Sequence, residues 1–442
     1  MFISQLKSSF VRAIECIIVK NILFFLKLYR LILTLNIKNK LIVQDNVTLI
    51  NTFDTGGGAA KIAGQLSLNL QKYFITRFYV KTKKSNNEWV FEIQPIDYNF
   101  FEELLRREAV KKGWIEYSGF HALSLLDDSF FMNSSIVHIH NLHGEFFSPV
   151  LFKSLFQGKK VIWTLHDESF ITGHCSCTLG CDRWQKGCGF CPDLTIYPPV
   201  NFDNTKDVLR FKKKWISALK PIVVCPSYWL ASRVRFAYPD LKNIEVIPNG
   251  VDTDIFFPKD KLKMRELLGL PLDKKIVLFV AEFATLNPFK GGAILREVIS
   301  DSTFSEVIFI TVGGKNESSF LNHICYPYID DENELSNLYA ACDVLLYPTQ
   351  ADNLPLVVLE SMACGTPVIA SQLGGIPEII NDSNGVLIND YKNSFAFKDG
   401  LLNFLTIPDL MIRDMRNSAL LTIKEQYSLS QMITSYKSLY VS

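Results

Sequence analysis

Asp352 and Glu360 stand eight residues apart in the run DNLPLVVLE, which continues into SMACGTPVIA. Asp352, Asn353 and Pro355 have turn chemistry, and the apolar run from Leu356 to Leu359 can open a helix. The spacing predicts one carboxylate in a loop and one just inside a helix. The free N–H groups and positive dipole end of that helix would face the loop, a ready place for a diphosphate. Ionised carboxylates accept hydrogen bonds and donate none, which suits sugar and ribose hydroxyls. Diphosphate and hydroxyls together describe a nucleotide sugar. Alone, Glu360 reads as a helix-capping acid; the whole run from Asp352 to Ala370 is what argues for a site.

Other residues could share that work. Lys290, in NPFKGG, can act as a point charge on phosphates. Gly56, Gly57 and Gly58 follow a predicted strand over Val47–Asn51 and precede a helix opening near Ala59, so the backbone there can approach a ligand closely. Strands are also predicted at Ile136–His140 and Lys160–Leu165. His166 and Asp167 then fall at a strand's carboxyl end, where ligands of open α/β sheets gather. His138, His140 and His143 form a second group, read as strand-end residues near an acceptor and needing no metal. Asp252 and Asp254 sit in a Pro-Asn-Gly turn and are read as linker chemistry. A third cluster, HCSCTLGCDRWQKGCGFCPD, holds Cys175, Cys177, Cys181, Cys188 and Cys191. Zinc spacing alone selects Cys177, Cys181, Cys188 and Cys191.

These residues need a scaffold of strand–helix units. A chain of 442 residues is too long for one core, and 48% hydrophobic content can fill two. Residues 43–245 are expected to form one Rossmann-like domain, with the cysteine insertion at 174–192. Residues 246–425 form a second, from strand candidates KKIVLFV, EVIFITVGG, DVLLYPT and TPVIAS alternating with helices such as NELSNLYAAC. Residues 426–442 are read as a closing helix. A net charge of +1 excludes a general attraction to nucleic acid. Ten cysteines, half of them clustered, fit a reducing compartment with a local metal site better than a disulfide framework. Residues 1–42 show neither a signal-peptide pattern nor an uninterrupted span, since Lys20, Lys27 and Arg30 break every apolar run. At helical spacing Arg12, Lys20, Lys27, Arg30, Thr34 and Lys38 make a basic stripe beside a wide apolar surface. Such a helix suits the cytoplasmic face of an anionic inner membrane, with docking on the protein itself or on a dimer partner as the alternative.

The run from Asp352 resembles the E-x7-E signature of retaining family 4 glycosyltransferases with the GT-B fold, with Asp352 in place of the first glutamate. The resemblance covers about residues 45–440. It implies that Asp352 contacts the donor sugar and Glu360 the ribose, with Asn353, Leu354 and Pro355 completing the donor loop. Lys290 matches the family's phosphate-binding lysine, Gly57 and Gly58 its glycine loop, and His166 the histidine beside the donor sugar. The usual Gly-Arg is missing, and Glu282 stands there instead. The cysteine segment resembles an insertion in a polysaccharide-assembly subgroup, which implies Cys175, Cys181, Cys188 and Cys191 as structural zinc ligands, with Cys177 or His174 as substitutes.

The function implied is transfer of a hexose-type sugar, with retention and without a catalytic metal or cofactor, from a nucleoside diphosphate to a growing glycan or lipid-linked glycan in cell-surface polysaccharide synthesis. A non-catalytic assembly protein on the same fold is the main alternative, and a nucleotide-sugar epimerase a more distant one.

Overall fold

The computed structural model describes residues 46–95, 99–117, 119–314 and 321–442. The expected basic-striped helix of residues 1–42 lies outside the described residues. Strands β1 (Asn46–Phe53), β2 (Ile75–Thr82), β3 (Val90–Glu92), β4 (Ile136–Ile139), β5 (Lys160–Thr164), β6 (Ile222–Cys225) and β7 (Ile244–Val246) form one sheet, ordered β3-β2-β1-β4-β5-β6-β7. A second sheet contains β8 (Lys275–Val280), β9 (Val307–Val312), β10 (His323–Tyr326), β11 (Val344–Tyr347), β12 (Val368–Ser371) and β13 (Val386–Ile388), ordered β10-β9-β8-β11-β12-β13. Each strand pairs in parallel with its neighbours. The central strands are buried on both faces, as in β11 and β12, and continuous apolar runs such as VLLY meet that demand.

Each sheet reverses its order beside its first strand, between β1 and β4 and between β8 and β11. Such switch points leave a crevice beyond the strands' carboxyl ends. Five helices frame the space between the two crevices: α1 (Gly57–Leu70), α2 (Tyr228–Ala237), α3 (Glu332–Ala341), α4 (Leu356–Ala363) and α5 (Leu429–Val441). The chain passes between the domains twice at one place, where Val251 and Ser428 form a parallel bridge. From there α5 packs back on the first sheet. Its Tyr436 hydroxyl lies 2.8 Å from Thr164 Oγ1, and its Tyr440 hydroxyl 2.5 Å from His138 Nδ1. One apolar cluster accordingly runs from Val47, Leu49 and Val224 through Tyr436 and Tyr440 to Leu345 and Val368.

Candidate active site

In the second domain, the loops after β8 and β11 bring Lys290 to Asp352. Lys290 Nζ is 2.5 Å from Asp352 Oδ2, and the Tyr347 hydroxyl donates to the same oxygen. The two loops are tied together by main-chain bonds from Gln350 and Ala351 to the Phe289 carbonyl. Burial opposes the charge on Lys290, but Asp352 and then Tyr347 more than offset it and raise its pKa. Gly374 allows a close fit behind the loop, because at its φ of +63° a Cβ would lie 2.0 Å from the Asp352 carbonyl oxygen.

Asn353 Oδ1 accepts from the Ser227 hydroxyl at 2.6 Å, whereas its buried Nδ2 has no partner. The Leu354 carbonyl accepts from Asn249 Nδ2 at 2.9 Å. Pro355 is the N-cap of α4 and caps it with no side-chain bond, so the first N–H groups of that helix lack a side-chain acceptor. Glu360, the fifth residue of α4, is 4% exposed.

In the first domain, α1 opens at Gly57, two residues before the expected start, with Gly56 as its N-cap at φ 87°. A Cβ at Gly57 would meet nothing within 4 Å, while one at Gly58 would touch Leu356 Cδ1 at 3.6 Å. The first turns of α1 and α4 therefore abut across the cleft. Lys61, one turn into α1, reaches Glu360 Oε1 at 2.7 Å and Glu332 Oε1 at 2.6 Å. Tyr339 of α3 donates to Glu360 Oε2 at 3.1 Å.

The histidines gather at the ends of β4 and β5. His140 Nδ1 and His166 Nε2 are 2.9 Å apart. Burial lowers the His166 pKa to about 4, so its ring is neutral and can donate at one nitrogen and accept at the other. His140 is 1% exposed and its Nε2 has no partner. His138, from the same strand, instead bonds Thr164 at 2.7 Å and Tyr440. His143 falls four residues beyond the end of β4. It lies between Asp167, at 2.9 Å, and Glu116, at 3.5 Å. Burial would lower its pKa, but these two carboxylates raise it to about 10. Asp167 is held down at about 2 against burial, by His143 and Ser169. His140, His143, His166, Asp167 and Glu116 line one cavity.

Cys175, Cys181, Cys188 and Cys191 line a second, smaller cavity with His174, and Cys177 does not. His174 Nε2 lies 3.3 Å from Cys191 Sγ and its Nδ1 3.1 Å from the Pro198 carbonyl. Burial pushes the thiol of Cys175 up to about 12 and raises those of Cys188 and Cys191. Among the described residues, no three of these donors stand where they could share one ion. The soft donor set suits zinc, but its side chains are not drawn around a common centre. Arg233 of α2 holds the insertion in place through Glu168 at 2.5 Å and by stacking on Trp184.

Lys61, Tyr339, Tyr347 and the pairing of His143 with Asp167 were not read from the sequence. For Lys61 a signal existed, since it follows Gly57 by four residues and so shares its helix face.

Two Rossmann-like sheets facing one cleft, with the loops of both converging on it, define the GT-B class of glycosyltransferase folds. Solved structures of that shape superpose over most of the chain. A sucrose-phosphate synthase from Thermosynechococcus elongatus matches with a TM-score of 0.64 at 16% identity, over 90% of this chain and 98% of that one. Anabaena Alr3699/HepE in complex with UDP and glucose matches with a TM-score of 0.61 at 15% identity, over 90% and 99%. The chain belongs to the family 4 glycosyltransferases: the profile "Glycosyltransferase Family 4" matches residues 106–255, and "Glycosyl transferases group 1" matches residues 260–419.

Among curated relatives, the putative colanic acid biosynthesis glycosyl transferase WcaC of Escherichia coli (strain K12) is 27% identical over 58% of this chain and 64% of its own length. A D-inositol 3-phosphate glycosyltransferase of Xylanimonas cellulosilytica is 33% identical over 38% of this chain and 44% of its own. The chain thus spans less than two thirds of either relative.

Proposed function

We propose that this protein is a glycosyltransferase of polysaccharide biosynthesis, which moves a sugar from a nucleoside-diphosphate sugar to a growing glycan with retention of configuration. The observation that carries the reading is the pairing of Lys290 with Asp352 just before the uncapped start of α4, whose Leu356 meets the glycine turn of α1 at Gly58 in the other domain. A diphosphate between the facing starts of α1 and α4 meets two sets of free N–H groups and the Lys290 ammonium. Glu360 is placed to accept from ribose hydroxyls, and the orphaned Nδ2 of Asn353 is a donor beside the sugar position. The named relatives and the UDP- and glucose-bound fold neighbour support the donor class.

Asp352 and the neutral His166 orient the sugar in this reading. The acceptor enters over the cavity of His140 and His143, where the unpartnered His140 Nε2 can bond a hydroxyl. Retention without a covalent intermediate follows if the acceptor attacks the face the diphosphate leaves, its proton passing to the departing phosphate oxygen. The charge that develops on that phosphate is met by Lys290 and helix N–H groups, so the transfer step is proposed to need no metal. Zinc is proposed only as a staple for Cys175, Cys181, Cys188 and Cys191, whose side chains would have to close on it. Residues 1–42 are proposed to hold the enzyme at the cytoplasmic face of the inner membrane. Among the described residues, no helix is long and apolar enough to cross a membrane.

Thermal shift against a panel of UDP-, GDP- and ADP-sugars tests the donor site. A ligand at a hundred times its Kd adds about 2.7 kcal/mol to stability. One selective stabiliser, lost in Glu360→Ala, is the expected result. No response from well-folded protein would favour the non-catalytic alternative.

A further inference from the structure

Lys61 crosses the cleft to the carboxylate that the preceding reading assigns to ribose. The residues around it make that reach possible. Gly57, Gly58, Ala59 and Ala60 have no bulk, so the first turn of α1 can press against the first turn of α4. Lys61 and Glu360 are each the fifth residue of their helix, which puts them level with one another across the gap. The Lys61 stem is largely covered, at 23% side-chain exposure, and its ammonium lies 4.8 Å from the Phe256 ring centroid. Burial disfavours its charge, but Glu360 and then Glu332 outweigh this and raise its pKa.

The hydrogen-bond inventory defines what Lys61 can do there. An ammonium has three donors, and two are spent on Glu360 and Glu332. A carboxylate has about four acceptor sites. Lys61 uses one on Glu360 Oε1 and Tyr339 one on Oε2. One site on each oxygen remains, which is what two adjacent ribose hydroxyls require. Lys61 therefore need not leave for a nucleotide to bind. It neutralises one of two neighbouring carboxylates and fixes the Glu360 rotamer, leaving two acceptor sites for hydroxyl donors.

We infer that Lys61 is a positioning residue for the donor nucleotide: the first domain, through this one ammonium, holds Glu360 in the orientation that selects a ribose. This rests on the donor-site reading above and adds to it a contribution from the opposite domain. It also supplies a consequence that an ordinary interdomain ion pair lacks. Preference for ribo- over 2′-deoxyribonucleotides becomes a property of the closed cleft rather than of the second domain alone.

The test measures binding of the preferred nucleoside diphosphate and of its 2′-deoxy counterpart to the full chain, unaltered and as Lys61→Met, by calorimetry. Hydrogen bonds to charged groups imply a roughly 10- to 100-fold loss of ribonucleotide affinity in Lys61→Met. The 2′-deoxy ligand should lose much less, so the ribo preference collapses. Lys61→Arg, which keeps the charge, should retain part of it. Lys61→Gln serves as the second variant if Lys61→Met does not fold. Should the unaltered protein bind neither ligand, the donor-site reading falls and this inference with it. Should it bind both while a folded Lys61 variant keeps the same affinities and the same preference, this inference alone is overturned.

Discussion

Replacing Asp167 by Asn keeps the side chain's shape and removes a charge that faces His143 at 2.9 Å. Removing one member of a buried ion pair costs about 3–5 kcal/mol. The side chains of His143 and Asp167 are 11% and 22% exposed, and Glu116 still flanks the imidazole, so the lower end applies, about 3 kcal/mol. For a domain of this size that is about 6–12 °C of melting temperature. The deficit should also depend on pH in a definite direction. The pKa of His143 is raised from 6.5 to about 10, so its contribution is complete below 6.5 and is lost as pH rises through 10. The pKa of Asp167 is depressed from 3.8 to about 2, so its contribution is present above 3.8 and is lost as pH falls through 2. Both contributions are therefore complete near pH 5, and that of His143 is waning by pH 9. The Asp167→Asn variant lacks the first of the two carboxylates that hold the proton on His143. Its deficit should be largest near pH 5 and should narrow at pH 9, read by thermal unfolding in matched ionic strength. A deficit of the same size at both pH values would refute the claim that His143 is protonated because of Asp167.

Glu360→Gln should weaken donor binding about 10- to 100-fold, since it discharges the acceptor of the Lys61 and Tyr339 bonds, with unfolding temperature as the control. Gly374→Ala removes no polar group, yet its Cβ would collide with the Asp352 carbonyl oxygen; donor affinity should fall while far-UV circular dichroism stays native. Protein purified without chelator should carry about one equivalent of zinc, and Cys188→Ser should abolish it, whereas Cys177→Ser should not. Metal analysis returning under about a tenth of an equivalent would end the zinc proposal.

Much of the second domain could be read from the chain because its central strands are short apolar runs, such as VLLY and VIAS, set between turn and helix signals. The strands that escaped notice are short or mixed. β2, ITRFYVKT, carries Arg77 and Lys81 on a half-covered strand, and β13 has three residues at a sheet edge. The helix start at Leu356 and the turn before it were legible as a local pattern with spaced acids. The helix face of Lys61 could be read, but its role could not, because that depends on Glu360, which lies 299 residues away. The cysteine set shows both limits at once. Spacing favoured Cys177 over Cys175, but the chain bends at Ser176, between them, and only Cys175 lines the cavity.

The return of α5 to the first sheet has a consequence for biosynthesis. His138 and Thr164, buried in the middle of that sheet, find their Tyr440 and Tyr436 partners 302 and 272 residues later in the chain. At roughly 5–20 residues per second, a ribosome needs on the order of 15–60 s to bridge that interval. In its later part, once β7 has ended at Val246, the first domain is complete in its strands but exposes the apolar face and unpaired polar groups that α5 will cover. The nascent first domain is thus a waiting state, and whatever shields that face during synthesis acts before the cleft between the domains exists.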